Sequence, residues 1–395
     1  MNVICSEKIP VKLWLDDIED GALVQAKALA NLPFAFHHIA IMPDSHQGYG
    51  MPIGGVMATK GVVVPNAVGV DIGCGMCAVR TSITARDFSQ EALKSILGGS
   101  KERQGGIRSH IPVGRSHHKK KQEWEGFDRA PNIPVVTAQL SSARKQLGSL
   151  GGGNHFIEIQ ESDDGYIWIM LHSGSRNFGY QIARVFNQLA QDLCKKWYSA
   201  VPEFKGQDGL AFLPLDTQEG QDYMEAMNYA LEFALASRFS MIDQVKHAFT
   251  KTVGCTFGTI INKNHNFASM ENHFGANVMV HRKGATSARA GELGIIPGSQ
   301  GTKSYIVRGL GNPDSFNSCS HGAGRKLSRK KAQRELNLED EIKALDDQGI
   351  LHAVRGAGDL DEAPGAYKDI AKVMANQTDL VEVVTELTPL AVIKG

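Results

Sequence analysis

Between His38 and Val79 the chain is built of short β-branched and apolar runs, His-Ile-Ala-Ile-Met, Gly-Val-Met-Ala and Gly-Val-Val-Val-Pro, cut every few residues by glycine or proline. Branching at Cβ suits a pleated surface, and glycine and proline end strands, so the segment predicts strands joined by loops. The same texture returns over 257–317, and a last strand is expected at Leu-Val-Glu-Val-Val near the C-terminus. Helical periodicity lies elsewhere. It covers 19–31, with acidic residues in front and Pro33 as a stop, then about 138–147, 177–197 and 221–250. A basic helix is expected from about Gly324 to Leu336, an acidic one over 338–346 and a short one near 366–376. Residues 99–131, rich in Lys, Arg and His, read as a long surface excursion, and a loop with Pro202 and Pro214 separates the two long helices. No internal repeat or disordered linker divides the chain. The expectation is one compact α+β domain over 1–395, its β-sheets packed together and flanked by helices.

Composition narrows the function. Of 395 residues, 42% are hydrophobic and 21% charged, as in a soluble globular protein, and the formal net charge is zero. Nucleic-acid contact would therefore need a local basic patch. The sequence starts without a basic stretch leading into an apolar run and has no run of some eighteen apolar residues. A cytoplasmic protein with no membrane partner is expected. Six scattered cysteines are expected to be thiols, some of them ligands, not a disulfide framework. The 42 glycines gather in short blocks, which suggests backbone pressed against ligands or bent at positive φ.

Those blocks carry the chemistry. Asp44-Ser45-His46-Gln47-Gly48, Asp71-Ile72-Gly73-Cys74, Gly153-Asn154-His155-Phe156, Leu171-His172-Ser173-Gly174-Ser175-Arg176, Asn264-His265-Asn266 and Ser318-Cys319-Ser320-His321-Gly322-Ala323-Gly324-Arg325 each set a histidine or thiol among small residues. Imidazole, carboxylate and thiolate are metal ligands, and a catalytic centre draws them from separate loops. A strand-end histidine is also an ordinary half-buried residue, and a glycine block an ordinary turn. Cys74 belongs to two tight pairs, Asp71-x-x-Cys74 and Cys74-x-x-Cys77, and spacing alone leaves both open. His321 heads a glycine-spaced run into the expected basic helix, where a phosphate would meet a helix N-terminus and several cations. The run Ile296-Pro-Gly-Ser-Gln-Gly-Thr-Lys-Ser304 is dense in hydroxyls and backbone donors but lacks P-loop spacing, and no Gly-x-Gly-x-x-Gly links a strand to a helix. Ordinary NTPase and dehydrogenase readings are excluded.

Taken in order, Val-Gly-Val-Asp-Ile-Gly-Cys-Gly-Met, Gly-Asn-His-Phe-Ile-Glu, Leu-His-Ser-Gly-Ser-Arg, His-Asn, Arg-Lys-Gly-Ala, Ile-Pro-Gly-Ser and Ser-His-Gly-Ala-Gly-Arg resemble the RtcB family of RNA ligases, from about Pro43 to the terminal Val-Ile-Lys-Gly. The resemblance implies that fold, with the active site in a loop-lined central cleft. It implies GTP-dependent joining of RNA 2',3'-cyclic phosphate or 3'-phosphate ends to 5'-hydroxyl ends with two Mn²⁺ ions. By analogy Cys74 bridges the metals, Asp71 and His155 complete one site, and His172 and His265 the other. His321 becomes guanylated, and Asp44 joins it among the catalytic residues. Nucleotide contacts fall on Asn154, Phe156, Glu158, Ser299, Ser304 and Lys394, and RNA-end contacts on Arg176, Lys283, Arg325 and Arg329. Glu158 can accept from the guanine N1–H and N2–H₂ edge, a pattern adenine lacks. The basic segment 115–121 would extend an RNA track.

The implied substrates are RNAs with broken ends, tRNA halves or damaged tRNA or rRNA, handled by a monomer with a release-factor-like partner. Departures are Ser45 where many members carry valine, Cys77 where others carry asparagine or alanine, and a shortened 96–140 region. Two rivals remain: a dinuclear phosphoesterase that opens cyclic phosphates without needing His321 or Lys394, and a non-catalytic RNA-binding module. With no second dithiol to complete a zinc site, Asp71 with Cys74 is the expected working pair, Gly73 and Gly75 leaving room around a shared sulfur.

Overall fold

A computed structural model describes residues 1–98, 105–199, 201 and 209–395. The head of the excursion expected from residue 99, and Pro202, lie outside the described residues. Two large sheets form the body. The first runs in the order Asn2–Ile4, Val11–Leu13, Ala35–His46, Ile53–Thr59, Ala276–Lys283, Asn266–His273. The second runs Ile261–Asn264, Gly75–Thr84, Tyr166–Ser173, Phe156–Ser162, Val381–Lys394, Ser304–Gly309, Leu293–Ile296. Every pairing within these sheets is antiparallel except that of Val11–Leu13 with Ala35–His46.

The layers follow from side-chain alternation along the strands. Ala40, Met42, Val56 and Val280 of the first sheet meet Ile296, Val307 and Val381 of the second in one buried cluster. Ile39, Ile41 and Met57 point the other way, onto Ala26, Leu29 and Ala30 of the helix Asp20–Ala30. The far face of the second sheet, Val79, Ile159, Ile169 and Leu171, is covered by Met241, Ile242, Val245 and Phe249 of the helix Gln218–Val253. This is the expected α+β architecture of packed sheets flanked by helices. Thr217 caps that long helix by accepting the Gly220 N–H at 3.2 Å, and Gly254, in the left-handed conformation at φ 67°, ends it.

Two expectations change. The basic helix expected from Gly324 spans only Arg329–Glu335, because Gly322, Ala323 and Gly324 pack instead as a loop against the first sheet. Gly324 has φ +71°, and a Cβ there would lie 2.0 Å from the Asp44 carbonyl oxygen. The last strand, in turn, does not stop at Val384 but runs Val381–Lys394. A register shift between Pro389 and Ala391 accommodates the proline that breaks the pattern in the sequence.

Candidate active site

The chain changes sheets at a single residue. Ile261–Asn264 is an edge strand of the second sheet, Asn266–His273 an edge strand of the first, and His265 lies between. Its N–H donates to the Cys74 carbonyl at 2.8 Å, while Asn266 Nδ2 donates to the Asp71 carbonyl at 3.0 Å. The seam thus receives Asp71 and Cys74 from the loop before Gly75–Thr84, His155 from the approach to Phe156–Ser162, and His172 from the end of Tyr166–Ser173.

Five of these side chains converge. Cys74 Sγ lies 3.4 Å from His155 Nε2 and 3.2 Å from His172 Nε2. His172 Nε2 lies 3.3 Å from His265 Nε2, and His155 Nε2 lies 3.1 Å from Asp71 Oδ2. They form two groups that share Cys74: Cys74, His172 and His265, and Asp71, Cys74 and His155. The donor set fits a pair of cations. His172 Nδ1 is held by the Asn154 carbonyl at 2.9 Å, which fixes the proton on Nδ1 and turns the Nε2 lone pair inward. Burial, with neighbouring cations, holds His172 and His265 well below the usual histidine range, which favours the neutral rings with a free lone pair. Among the described residues, buried His155 Nδ1 and His265 Nδ1 have no hydrogen-bond partner. Burial and Asp71 push the Cys74 thiol up, and a cation is the counter-charge that would keep it a thiolate. Burial also raises the Asp71 carboxyl, but the hydrogen bond and charge of His155, with Cys74 and Arg176, outweigh it and hold Asp71 below the carboxylate range.

Cys77 is not part of this cluster. It lies fully buried on the opposite face of its strand, packed with Leu171, Met241 and Ile242, and burial pushes its thiol up to about 12. The room attributed to Gly73 and Gly75 serves another purpose. A Cβ on Gly75 would lie 2.1 Å from the Lys263 carbonyl and one on Gly73 2.9 Å from Ala234 Cβ, so these glycines admit a neighbouring strand and helix, not metal.

His321 follows the strand Ser318–Ser320. Its ring lies 4.7 Å, edge to face, from that of His265. Its backbone N–H and Nδ1 both donate to Oδ2 of fully buried Asp44, at 3.1 and 2.6 Å. Nε2 has no hydrogen-bond partner among the described residues. The helix N-terminus expected beside His321 is absent: the helix starts only at Arg329, and Arg325 sits in the loop, donating to Glu362 Oε1 at 3.2 Å and to the Asp361 carbonyl.

A cavity of about 390 Å³ opens onto both Cys74 and His321, and Asn154, Phe156, Glu158, Ser299 and Lys394 line it together with Lys283, Arg325 and Arg329. Ser304 does not reach it; buried beneath the wall, its hydroxyl accepts from Gln160 Nε2 at 3.1 Å and from Gly298 N–H. Arg176 stands aside as well, donating to the Gly114 carbonyl at 2.7 Å and Ser149 Oγ at 3.2 Å, which pins the exposed basic segment 115–121 beside Gly151–Gly153. Lys394 Nζ sits 5.7 Å from the Phe156 ring centroid and 3.2 Å from Glu362 Oε2. Burial pushes the Glu158 carboxyl up to about 8 against the pull of Lys394 and Gln160.

Four residues of the site escaped sequence reasoning. Tyr367 lines the cavity and donates its hydroxyl to Glu362. Buried Glu362 ties Lys394 and Arg325 together, and Gln160 donates to Glu158 Oε2 at 2.7 Å. None has a local signature. The fourth had one: Arg238 stands on the apolar stripe of the long helix between Ala234 and Met241. It is fully buried, donates to the carbonyls of Gly73 and Ser173 at 2.8 and 2.9 Å, and bonds the side chains of Asn262 and Asn264. Each of Gly73, Ser173 and Asn264 adjoins a residue of the cluster, so one guanidinium holds three segments that build it.

Comparison with known proteins points to one family. The family model described as tRNA-splicing ligase RtcB matches residues 25–395. The chain is 41% identical over its whole length to the RNA-splicing ligase RtcB of Escherichia coli K12, covering 99% of that protein. It is 31% identical to the tRNA-splicing ligase RtcB of Nanoarchaeum equitans, over 98% of this chain and 95% of the relative. A relative from Mycobacterium bovis, an RNA-splicing ligase RtcB, is 31% identical over 94% of this chain and its own full length. With the family model matched over 25–395 and these relatives covered nearly end to end, the chain belongs to the RtcB family.

Proposed function

We propose that this chain is an RNA ligase that joins 2',3'-cyclic phosphate or 3'-phosphate ends to 5'-hydroxyl ends through guanylated His321. The observation that carries the reading is the pairing of Asp44 with His321 Nδ1 at 2.6 Å, which leaves Nε2 unbonded beside the Cys74 cluster. Nε2 attacks the α-phosphorus of GTP; a P–N bond forms as the P–O bond to diphosphate breaks. Asp44 offsets the positive charge that develops on the ring. The RNA 3'-phosphate then takes the guanylyl group and frees His321, and attack by the 5'-hydroxyl oxygen releases GMP. A cyclic phosphate is first opened by water. Phosphate oxygen is a poor leaving group, and guanylation supplies a better one. Two Mn²⁺ ions bound by Asp71, Cys74, His155, His172 and His265 would supply the positive charge that lets crowded phosphates approach.

Glu158 and Lys394 face the guanine edge in this reading, Asn154, Phe156 and Ser299 complete the nucleotide site, and Lys283, Arg325 and Arg329 take RNA-end phosphates. The segment 115–121 continues the RNA track. The same reading has a cytoplasmic monomer acting on tRNA or rRNA ends with a release-factor-like partner. Among the described residues no helix is long and apolar enough to cross a membrane. A phosphoesterase restricted to cyclic phosphates would have no use for Asp44–His321 or for the cavity wall around Glu158 and Lys394. Incubation with Mn²⁺ and α-labelled GTP tests the mechanism. Acid-labile label is expected on the chain, absent from His321→Ala and Cys74→Ala and retained by Cys77→Ala. Label that survives His321→Ala would sink the assignment.

A further inference from the structure

The nucleotide reading uses only part of the cavity wall. Another part, formed by Tyr49, Val70 and Lys283, has no role in guanylation. Tyr49 sits in the loop between Ala35–His46 and Ile53–Thr59, and 62% of it is exposed, although its main chain is tied down on every side. Gln25 bonds both the N–H and the carbonyl of Gly48, at 3.1 and 2.6 Å. Gln47 N–H donates to Glu19 Oε2 at 2.9 Å, and the Tyr49 carbonyl accepts from Met51 N–H at 2.8 Å and from Lys283 Nζ. A protruding ring on a fixed backbone has only two side-chain torsions to lose on binding, which is how protein surfaces present aromatic platforms cheaply to unpaired bases.

Lys283 joins this ring to the next loop. Its stem lies against Gly69, where a Cβ would be 3.1 Å from Lys283 Cε, and its Nζ also donates to the Asn66 carbonyl at 3.0 Å. Beyond Gly69, Val70 is 45% exposed at the cavity mouth. Lys283 is buried, and among the described residues no carboxylate lies within ion-pair distance of it. An apolar ring and side chain flanking a buried amine that no carboxylate pairs fit a nucleotide, base on the ring and phosphate at the amine.

We propose that Tyr49 is the stacking platform for the terminal nucleobase of a broken RNA end, with Lys283 meeting the adjoining phosphate. The inference rests on the ligase reading and adds a base-binding subsite to it. Binding of single-stranded oligonucleotides carrying 2-aminopurine at the terminal position, one set at the 3'-phosphate end and one at the 5'-hydroxyl end, tests it. The natural protein should quench one of the two probes, and Tyr49→Ala should lose the quenching and bind that end roughly 5- to 150-fold more weakly, the range for one stacked base. Tyr49→Phe should keep both. Replacing the terminal base by an abasic residue should weaken the natural protein by the same factor and leave Tyr49→Ala unaffected. Equal binding by Tyr49→Ala, or an equal abasic penalty in both proteins, overturns the subsite. His321 labelling and end joining, measured in parallel, separate the two levels. If the natural protein labels and joins while Tyr49 has no effect, the subsite alone is wrong. If it neither takes label nor binds RNA, the ligase reading falls and the subsite with it.

Discussion

Asp44 is buried, and among the described residues its Oδ1 has no hydrogen-bond partner. Its Oδ2 is committed to His321, so its charge is available to the ring that it orients. Asp44→Asn keeps the shape and an acceptor for Nδ1 but removes the charge that steadies the ring once a phosphoryl group is bonded to Nε2. Guanylation should slow by about 10²- to 10⁴-fold, as for carboxylates behind catalytic histidines, with thermal unfolding close to that of the natural protein. Glu158 predicts a pH dependence. With burial holding it at about 8, the empty site at pH 7 contains mostly the neutral acid, whereas two guanine N–H donors favour the carboxylate. Binding therefore releases a proton. Affinity for GMP should rise with pH, by up to about tenfold per unit below 8, and level off above it. Calorimetry at pH 6, 7 and 8 should show this slope, and Glu158→Gln should flatten it.

At the scale of elements, the helix Gln218–Val253 both covers a sheet and organises the site. Buried Arg238 loses solvation, which pulls it down to about 10, and recovers it through two carbonyls and two asparagine side chains. Arg238→Met should leave those carbonyls unpaired and cost about 3–5 kcal/mol, measured by urea unfolding in chelator so that metal does not contribute. Arg238→Lys should recover only part of this, because an ammonium cannot span the three segments. Helix and strand periodicity was legible in the sequence to within a few residues for most elements. Among its failures, two have local reasons. The loop before Arg329 carries the charges and small residues of a helix start, yet its glycines pack on Asp44. The last strand, expected only at Leu-Val-Glu-Val-Val, continues through a bulge at Pro389 to Lys394, and the extra length is what delivers Lys394 to the cavity.

At the scale of the molecule, the site is a seam. Asp71, Cys74, His155 and His172 come from one sheet, His321 and Asp44 from the other side, and His265 from the crossing between them. A divalent cation that binds the folded cluster must stabilise the whole chain by mass action, about 2.7 kcal/mol at a concentration one hundred times Kd. The unfolding midpoint should rise with added Mn²⁺, fall on chelation, and lose most of its metal dependence in His172→Ala. A metal response unchanged in that variant would place the cation elsewhere.

The residues by themselves determined the alternation of strand and helix, the inventory of thiol, carboxylate and imidazole among glycines, and, through ordered motifs, the family. Tertiary structure alone decided which of the 14 histidines converge, because residues as far apart as 71, 155 and 265 meet only when two sheets close on one another. It also turned Cys77 away from Cys74, since successive side chains of a strand face opposite sides. It put Ser304 beneath the wall that Ser299 lines, and set Arg238, Gln160, Glu362 and Tyr367 behind or beside the reacting groups. Such contacts leave no spacing in the chain, because burial and long-range hydrogen bonds are properties of the folded packing and not of neighbouring residues.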